Sequence, residues 1–202
     1  MAKLIFKYST MNSGKTMDLL RTVHNYEENN CKVIVMKPIV DTKADDSIET
    51  RIGLKRKVDI LISENDSIIE LLKGKLNDVR CIFIDESQFL NASQIDELFI
   101  TTKAVDIPVI CYGLRSNFKL ESFEGSRRLL EIADSLEEFK TLCSCGEIAR
   151  YVGRKVNGEF VVEGDVIVID GASNVEYVPL CGKHYLEAVT KIDLSKIKED
   201  LN

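Results

Sequence analysis

The sequence of 202 residues has no long hydrophobic run. No stretch approaches the roughly 20 consecutive apolar residues that a helix needs to cross a bilayer, which argues against a membrane protein. The first residues are too short for a secretory signal and lack its small-residue cleavage site. We therefore expect a cytoplasmic protein whose six cysteines are reduced thiols or metal ligands, not disulfides.

The sequence also has no excess of basic residues. Lys and Arg number 27 against 33 Asp and Glu, which gives a formal net charge of −6. An acidic balance of this kind argues against bulk affinity for nucleic acid or for an anionic membrane surface. With 45% hydrophobic and 30% charged residues, the composition is that of a globular chain.

The first two thirds of the sequence alternate between short apolar runs and longer amphipathic stretches. The patterns predict strands and helices in turn: strands at 3–8, 32–36, 81–84 and 108–114, and helices at 15–29, 66–76, 92–104 and 124–132. Residues 38–57 have no clean period and are predicted to form a long loop. Strands that alternate with helices indicate an α/β fold, in which a parallel sheet is flanked by helices.

The pattern changes near residue 140. Valine-rich segments alternate around Asn157-Gly158, which is a hairpin-turn signal. We predict an α/β domain over 1–140, a small β-rich lobe over 141–190 and a charged tail over 191–202 that frays. A lobe of about 50 residues has too little core to be stable alone, so a bound metal is expected there.

A phosphate-binding motif separates the first strand from the first helix. The segment matches G-x-x-x-x-G-K-S/T except at its first position, and reads Ser9, Thr10, Met11, Asn12, Ser13, Gly14, Lys15 and Thr16. Backbone N–H groups of such a loop surround phosphate oxygens at the positive end of the helix. Lys15 would face the β- and γ-phosphates, and the Thr16 hydroxyl would bind Mg²⁺. The alternative is a chance Gly-Lys-Thr in an ordinary strand-turn-helix.

Two carboxylates follow the buried strand at 81–84. Side chains at the carboxyl end of a parallel strand face the ligand crevice. Asp85 is the expected partner of Mg²⁺, and Glu86 is the candidate general base toward water or a substrate hydroxyl. The alternative is an acidic pair that caps the next helix. Together the two motifs predict a P-loop nucleotide-binding enzyme over 1–140, and they do not choose between a kinase and an ATPase.

Cysteine and histidine cluster in the last third of the sequence. Cys143 and Cys145 precede Cys181 and His184, and three thiolates with one imidazole make a closed tetrahedral Zn²⁺ site. Such a site is structural, because metal affinity becomes folding free energy. The remaining cysteines lie in or beside predicted strands and are interpreted as small buried hydrophobic residues: Cys31, Cys81 and Cys111.

These motifs occur in the order S-T-M-N-S-G-K-T, D-E-S-Q-F, Y-G-L-R-S-N-F and C-x-C…C-x-x-H. In this order they resemble the cytosolic zinc-containing (type II) thymidine kinases, over about residues 3–185. The resemblance implies transfer of the γ-phosphoryl of ATP to the 5′-hydroxyl of thymidine or deoxyuridine, in pyrimidine deoxynucleoside salvage for DNA synthesis. It further implies ATP, Mg²⁺ and structural Zn²⁺, a homotetramer, feedback inhibition by dTTP, and a lasso-like loop over 166–177 around the nucleoside.

The resemblance also implies roles for individual residues, with Glu86 as the catalytic base. The implied ATP and Mg²⁺ contacts are the eight loop residues 9–16 with Asp85, Glu86, Ser87, Gln88, Lys43 and Arg51. The implied nucleoside contacts are Met11, Asp41, Phe89, Leu114, Phe118, Phe123, Val152, Val168, Gly171 and Tyr177. The implied zinc ligands are Cys143, Cys145, Cys181 and His184. Whether Lys43 or Arg51 neutralises the transferring phosphoryl is left open.

Other functions remain compatible with the motifs. One is a P-loop ATPase whose zinc lobe binds nucleic acid, although the acidic balance and the absence of a basic, aromatic stripe weigh against it. Another is a binding module with a degenerate loop, for which Ser9 is the only hint. A closer rival is a kinase for a different deoxynucleoside.

Overall fold

A computed structural model of the chain describes residues 1–39, 46–50, 52–164 and 174–201. The chain forms two compact units. The first unit comprises Met1–Tyr8, Gly14–Arg115 and Phe123–Phe139, and the second comprises Ser9–Ser13, Ser116–Ser122 and Lys140–Asn202. The division into 1–140, 141–190 and 191–202 stays a prediction. No helix within the described ranges is long and apolar enough to cross a membrane.

The first unit is built on a six-stranded sheet in the order β5-β2-β6-β7-β1-β8. Its elements in chain order are β1 (Leu4–Ser9), α1 (Lys15–Glu28), β2 (Lys32–Pro38), β3 (Ser47–Glu49), β4 (Lys55–Lys57), β5 (Ile60–Ile62), α2 (Ile68–Leu72), β6 (Val79–Ile84), α3 (Ala92–Val105), β7 (Val109–Leu114), α4 (Glu124–Ile132) and β8 (Ser135–Glu138). β2 pairs in parallel with β5 and β6, β6 with β7, and β1 with β8. The predicted parallel sheet is therefore confirmed.

The two faces of this sheet are covered by different helices. Along β2, Val33 and Val35 belong to the core that contains Leu19 and Val23 of α1. The alternate β2 residues point to the other face, where the core includes residues of α2, α3 and α4. A central strand buried on both faces has no polar positions, which explains the continuous apolar run in the sequence.

The predicted loop over 38–57 is wrong in part, because it contains an antiparallel hairpin of β3 and β4. Ile48 of β3 is buried in the α1-side core, and it pairs with Arg56. Each strand has only three residues, too few to leave a period of two in the sequence.

Other short elements also differ from the prediction. The sequence patterns did not predict β5 or β8, which add strands of three and four residues at the two edges of the sheet. Helix α2 ends at Leu72 rather than at 76, and it begins after Ser67, whose side chain accepts from the Glu70 backbone N–H. The next turn contains Gly74 at φ 73°, a conformation that ends a helix at little cost for glycine.

The second unit contains two small antiparallel sheets, β9 with β10 and β12-β11-β13. Its elements are β9 (Thr141–Leu142), β10 (Ile148–Ala149), β11 (Tyr151–Val156), β12 (Glu159–Val161), β13 (Val175–Leu180), α5 (Gly182–His184), a π-helix (Tyr185–Val189) and α6 (Leu194–Asp200). Asn157 at φ 51° and Gly158 at φ 85° join β11 to β12, as the predicted two-residue hairpin requires.

The end of the chain departs from its predicted fraying. Helix α6 forms there, and the Asp193 carboxylate accepts hydrogen bonds from the backbone N–H groups of Ser195 and Lys196. An aspartate at this position satisfies N–H groups that have no partner within the helix. The local cap therefore explains a helix that has no buried residues.

Candidate active site and metal centre

The phosphate loop connects β1 to α1. Asn12 and Gly14 have positive φ values of 61° and 84°, whereas Ser9 does not have a positive φ. The serine in the first motif position is therefore free of left-handed strain, and the sharp turns fall on residues that tolerate them. The Ser9 hydroxyl donates to the Thr10 carbonyl oxygen over 2.7 Å and lies in hydrogen-bond contact with the Ser13 hydroxyl.

Lys15 opens helix α1 in the first unit and interacts electrostatically with Asp85 and Glu86, which follow β6. Burial lowers the pKa of Lys15 to about 8, against the opposing pull of Glu86 and Asp85. Burial and the neighbouring Glu86 charge raise the pKa of Asp85 to about 7, although Lys37 and Lys15 act in the other direction. A divalent cation next to Asp85 would favour its ionised form, as expected of a Mg²⁺ partner.

Glu86 has a left-handed backbone, with φ 52° and ψ 35°. Positive φ is uncommon outside glycine and concentrates at functional positions. Its carboxylate Oε2 accepts a hydrogen bond from Gln88 Nε2 over 2.6 Å. The strand-end pattern in the sequence predicted the position of Glu86 but carried no signal for this backbone conformation or for this partner.

Three predicted nucleoside contacts lie in the first unit. The rings of Phe89 and Phe123 meet edge to face, with centroids 5.7 Å apart and planes at 79°. Leu114 ends β7, where its backbone N–H donates to Gln88 Oε1 over 3.1 Å and its carbonyl oxygen accepts from the Ser126 hydroxyl over 2.5 Å. Apolar and aromatic groups of this kind can hold a flat heterocycle.

Four other predicted nucleoside contacts lie together in the second unit. Phe118, Val152 and Tyr177 form one buried cluster, and Met11 packs against it. The structure therefore brings together residues that are more than 160 positions apart in the chain.

Two residues that the sequence analysis missed hold Phe118 in place. The Arg154 guanidinium carbon lies 4.0 Å from the centroid of the Phe118 ring, a cation–π arrangement. The hydroxyl of Tyr185 donates to the Phe118 backbone oxygen over 2.7 Å. Both contacts join residues distant in the sequence, so no local pattern could reveal them.

The other predicted contacts fall outside the described residues. They are Asp41, Lys43, Arg51, Val168 and Gly171, with most of the predicted lasso over 166–177. Their roles stay predictions.

The predicted zinc ligands converge in the second unit. The ligand atoms of Cys143, Cys145, Cys181 and His184 all lie within 4.8 Å of one another. Cys145 Sγ is 3.7 Å from Cys181 Sγ, and Cys143 Sγ is 3.0 Å from His184 Nδ1. Tetrahedral Zn–S bonds of about 2.3 Å place neighbouring sulfurs about 3.8 Å apart, so the four side chains fit one zinc ion.

The local electrostatics also suit a metal thiolate. Burial opposes ionisation of Cys143, but backbone N–H groups of Cys145 and Cys181, together with His184, lower the pKa of Cys143 to about 6. The thiolate is the form that binds a metal. By contrast, burial raises the pKa of Cys81 to about 12, in keeping with its interpretation as a small core residue.

Comparisons with known proteins identify the family. The model of the family described as "Thymidine kinase" matches residues 2–185. A thymidine kinase of Streptococcus gordonii is 41% identical over 189 residues, covering 93% of this chain and 97% of that protein. A thymidine kinase of Lactococcus lactis is 39% identical over 189 residues, covering 93% of this chain and 98% of that protein.

A solved structure of Bacteroides Pif1 bound to single-stranded DNA matches at a TM-score of 0.35 and 15% identity, covering 68% of this chain and 38% of that one. A likeness this low bears on neither fold nor activity. The family match and the relatives, by contrast, span nearly the whole chain. The chain belongs to the thymidine kinase family.

Proposed function

We propose that this protein is a thymidine kinase, which transfers the γ-phosphoryl of ATP to the 5′-hydroxyl of thymidine and yields dTMP and ADP. The family match over residues 2–185 supports this activity. The observation that carries the mechanism is the arrangement in the first unit, where Lys15, Asp85 and Glu86 interact electrostatically within one site. Deoxyuridine is a second expected substrate, because it differs from thymidine by one methyl group.

Nucleotide binding is proposed to rest on the phosphate loop and the strand end. Gly14 and the backbone of α1 offer N–H groups to phosphate oxygens, and Lys15 adds a positive charge beside the β- and γ-phosphates. Thr16 and Asp85 would hold Mg²⁺, which when bound neutralises charge on the phosphates. Ser87 completes the proposed nucleotide segment, whereas Gln88, which the resemblance also places there, has both ends of its carboxamide engaged by Glu86 and Leu114.

Glu86 is proposed to hold and deprotonate the 5′-oxygen. Its carboxylate follows the Mg²⁺ partner Asp85 directly, at the carboxyl end of β6 where ligands of parallel sheets bind. A carboxylate in hydrogen-bond reach of the hydroxyl serves as the general base, which contributes on the order of 10²–10⁴-fold to such reactions. Within the first unit, the aromatic pair of Phe89 and Phe123 is proposed to contact the base. Within the second unit, the cluster around Phe118 is proposed as a nucleoside contact in its own right.

The remaining family properties are proposals as well. We infer a homotetramer, feedback inhibition by dTTP and a cytoplasmic location, together with a nucleoside lasso over 166–177 and a phosphoryl contact from Lys43 or Arg51. The structural zinc would support the 141–190 lobe. The alternative of an ATPase that binds nucleic acid is not better supported, given the net charge of −6 and the family match.

A panel of deoxynucleosides incubated with MgATP, scored for 5′-monophosphates by chromatography, tests the substrate. We expect dTMP and dUMP as the products. A product from a purine deoxynucleoside alone, or ATP hydrolysis without nucleoside phosphorylation, would overturn the assignment.

Glu86→Gln tests the catalytic base. Titration calorimetry should show retained nucleotide binding, while turnover falls at least about 100-fold. Glu28→Gln makes the same chemical change on the exposed side of α1, where the Glu28 carboxylate contacts His24, and should leave turnover unchanged. Near-normal turnover by Glu86→Gln would remove Glu86 as the base.

A further inference from the structure

Gln88 lies in a short 3₁₀ turn, Ser87–Phe89, directly after the proposed catalytic base. Its side chain is 2% exposed, and both ends of its carboxamide are engaged within the first unit. Nε2 donates to Glu86 Oε2 over 2.6 Å, and Oε1 accepts from the Leu114 backbone N–H over 3.1 Å. The two partners fix the orientation of the amide, because a carboxylate can only accept and an N–H can only donate.

Gln88 therefore links the carboxylate to the end of β7. The anchor on that strand is rigid, since the Leu114 carbonyl oxygen also accepts from the Ser126 hydroxyl and the Ser87 hydroxyl donates to the Tyr112 carbonyl oxygen. A glutamate side chain has several rotatable bonds, and a single short hydrogen bond to a buried, doubly held amide removes much of that freedom.

The chain also leaves space for this link at one specific position. A Cβ at Gly113 would lie 2.8 Å from Ser87 Oγ and 2.9 Å from Gln88 Oε1. A side chain at position 113 would therefore displace the Ser87 hydroxyl and the Gln88 carboxamide from their present positions, and glycine leaves room for both. The left-handed backbone of Glu86 turns the chain so that Gln88 faces back toward the carboxylate.

We propose that Gln88 is a positioning residue that holds the Glu86 carboxylate in its reactive orientation by bracing it against the Leu114 backbone. The inference rests on the proposed role of Glu86 as the base. Gln88 acts on the rate of phosphoryl transfer through Glu86, and its loss changes kcat rather than the affinity for either substrate. Misplacement of a catalytic group by about 1 Å costs on the order of 100-fold in rate.

Two variants test whether Gln88 positions the Glu86 carboxylate or only anchors the 3₁₀ turn to β7. Gln88→Met keeps the size of the side chain and removes both hydrogen bonds. Gln88→Glu keeps an acceptor for the Leu114 N–H but places a second carboxyl group against Glu86, which either repels the Glu86 carboxylate or shares a proton with it, so that Glu86 loses its free, oriented base form. Positioning predicts that both variants lose about 10–100-fold in kcat, with the KM for ATP and for thymidine within about twofold of wild type.

Ser126→Ala is the matched control. It removes the Ser126 hydrogen bond to the Leu114 carbonyl oxygen and keeps the Gln88 hydrogen bond to Glu86, so kcat should stay within about twofold while the thermal midpoint falls. All variants are assayed well below their own midpoints. If Gln88→Glu does not fold, the comparison of kcat between Gln88→Met and Ser126→Ala decides whether Gln88 positions Glu86.

The outcomes distinguish this inference from the proposed function. Wild-type kcat in Gln88→Met, or an equal kcat loss in Ser126→Ala and Gln88→Met, would show that Gln88 only anchors β7. That result would overturn the positioning role and leave the kinase assignment intact. Near-normal turnover by Glu86→Gln would overturn the positioning role together with the role of Glu86 as the base, and the kinase assignment would stand or fall only with the deoxynucleoside panel.

Discussion

Removal of the Tyr112 hydroxyl should destabilise the first unit measurably. Asp18 of α1 accepts hydrogen bonds from three side chains: Lys7 Nζ over 3.1 Å, Arg21 Nη2 over 2.6 Å and Tyr112 Oη over 2.8 Å. The Tyr112 side chain is 0% exposed, so no water can replace its hydroxyl without repacking. Through this carboxylate, the helix that opens with Lys15 is tied to both β1 and β7.

The expected loss follows from the type of hydrogen bond. A hydrogen bond to a charged group contributes about 1.5–3 kcal/mol, and two donors to Asp18 survive in Tyr112→Phe. We therefore expect a loss of about 1.5–2 kcal/mol in the free energy of unfolding. For a chain of this length that loss corresponds to about 3–8 °C in thermal midpoint.

The pH dependence gives a second, independent check. Burial opposes ionisation of Asp18, but the hydrogen bonds from Arg21, Tyr112 and Lys7 outweigh it and hold the pKa of Asp18 below its ordinary value. A depressed folded-state pKa contributes stability that is present above the unfolded pKa of about 3.9 and is lost as the pH falls through the folded pKa. The difference between wild type and Tyr112→Phe should thus be constant near neutrality and shrink at acid pH.

Thermal unfolding followed by circular dichroism at pH 7, 5 and 3.5, with zinc held constant, measures both effects. Tyr8→Phe is the control, because the described residues show a ring contact with Phe6 but no hydrogen bond from its hydroxyl. The reasoning fails if Tyr112→Phe matches the wild-type midpoint at pH 7, or if the difference grows between pH 7 and pH 3.5.

Three further changes probe other parts of the molecule. Cys145→Ser removes one of four ligand atoms, so zinc measured by atomic emission should fall well below one ion per chain and the thermal midpoint should drop; full zinc content would contradict the site. Tyr185→Phe leaves the Phe118 carbonyl without its donor, and steady-state kinetics should show the KM for thymidine rising about fivefold, with the KM for ATP unchanged. An unchanged thymidine KM would separate Phe118 from nucleoside binding. Gly125→Ala would place a Cβ 2.6 Å from the Ser87 backbone oxygen, and urea unfolding should show a loss of about 1–3 kcal/mol, whereas wild-type stability would mean that the backbone yields freely.

Long or chemically distinctive segments were predictable from the sequence. The predicted helix over 124–132 has the bounds of α4, and the continuous apolar runs marked the central strands β2 and β6. Their signals are local, since burial on both sheet faces removes every polar residue from a short run. The four metal-ligand residues were equally visible, because few other side chains combine in that pattern.

Short elements could not be predicted, because the interactions that form them are not local in the sequence. β3, β4 and β5 have three residues each, and such strands exist because a neighbouring strand supplies their hydrogen bonds. The π-helix after His184 likewise has no local pattern that would separate it from an α-helix. Tertiary context selects the conformation in these segments.

The amino-acid sequence by itself determined the chemical inventory of this protein: a phosphate loop, two strand-end carboxylates and a metal-ligand set, each encoded within a few neighbouring residues. Only the tertiary structure decided which partners those groups meet. Gln88 reaches Glu86 and Leu114, and Tyr185 reaches Phe118, because sheet order and strand register bring distant segments together. Gln88 and Leu114 are 26 positions apart in the sequence, and Phe118 and Tyr185 are 67 positions apart. Contacts between such distant residues depend on the packing of each whole unit, which local periodicity in the sequence does not predict.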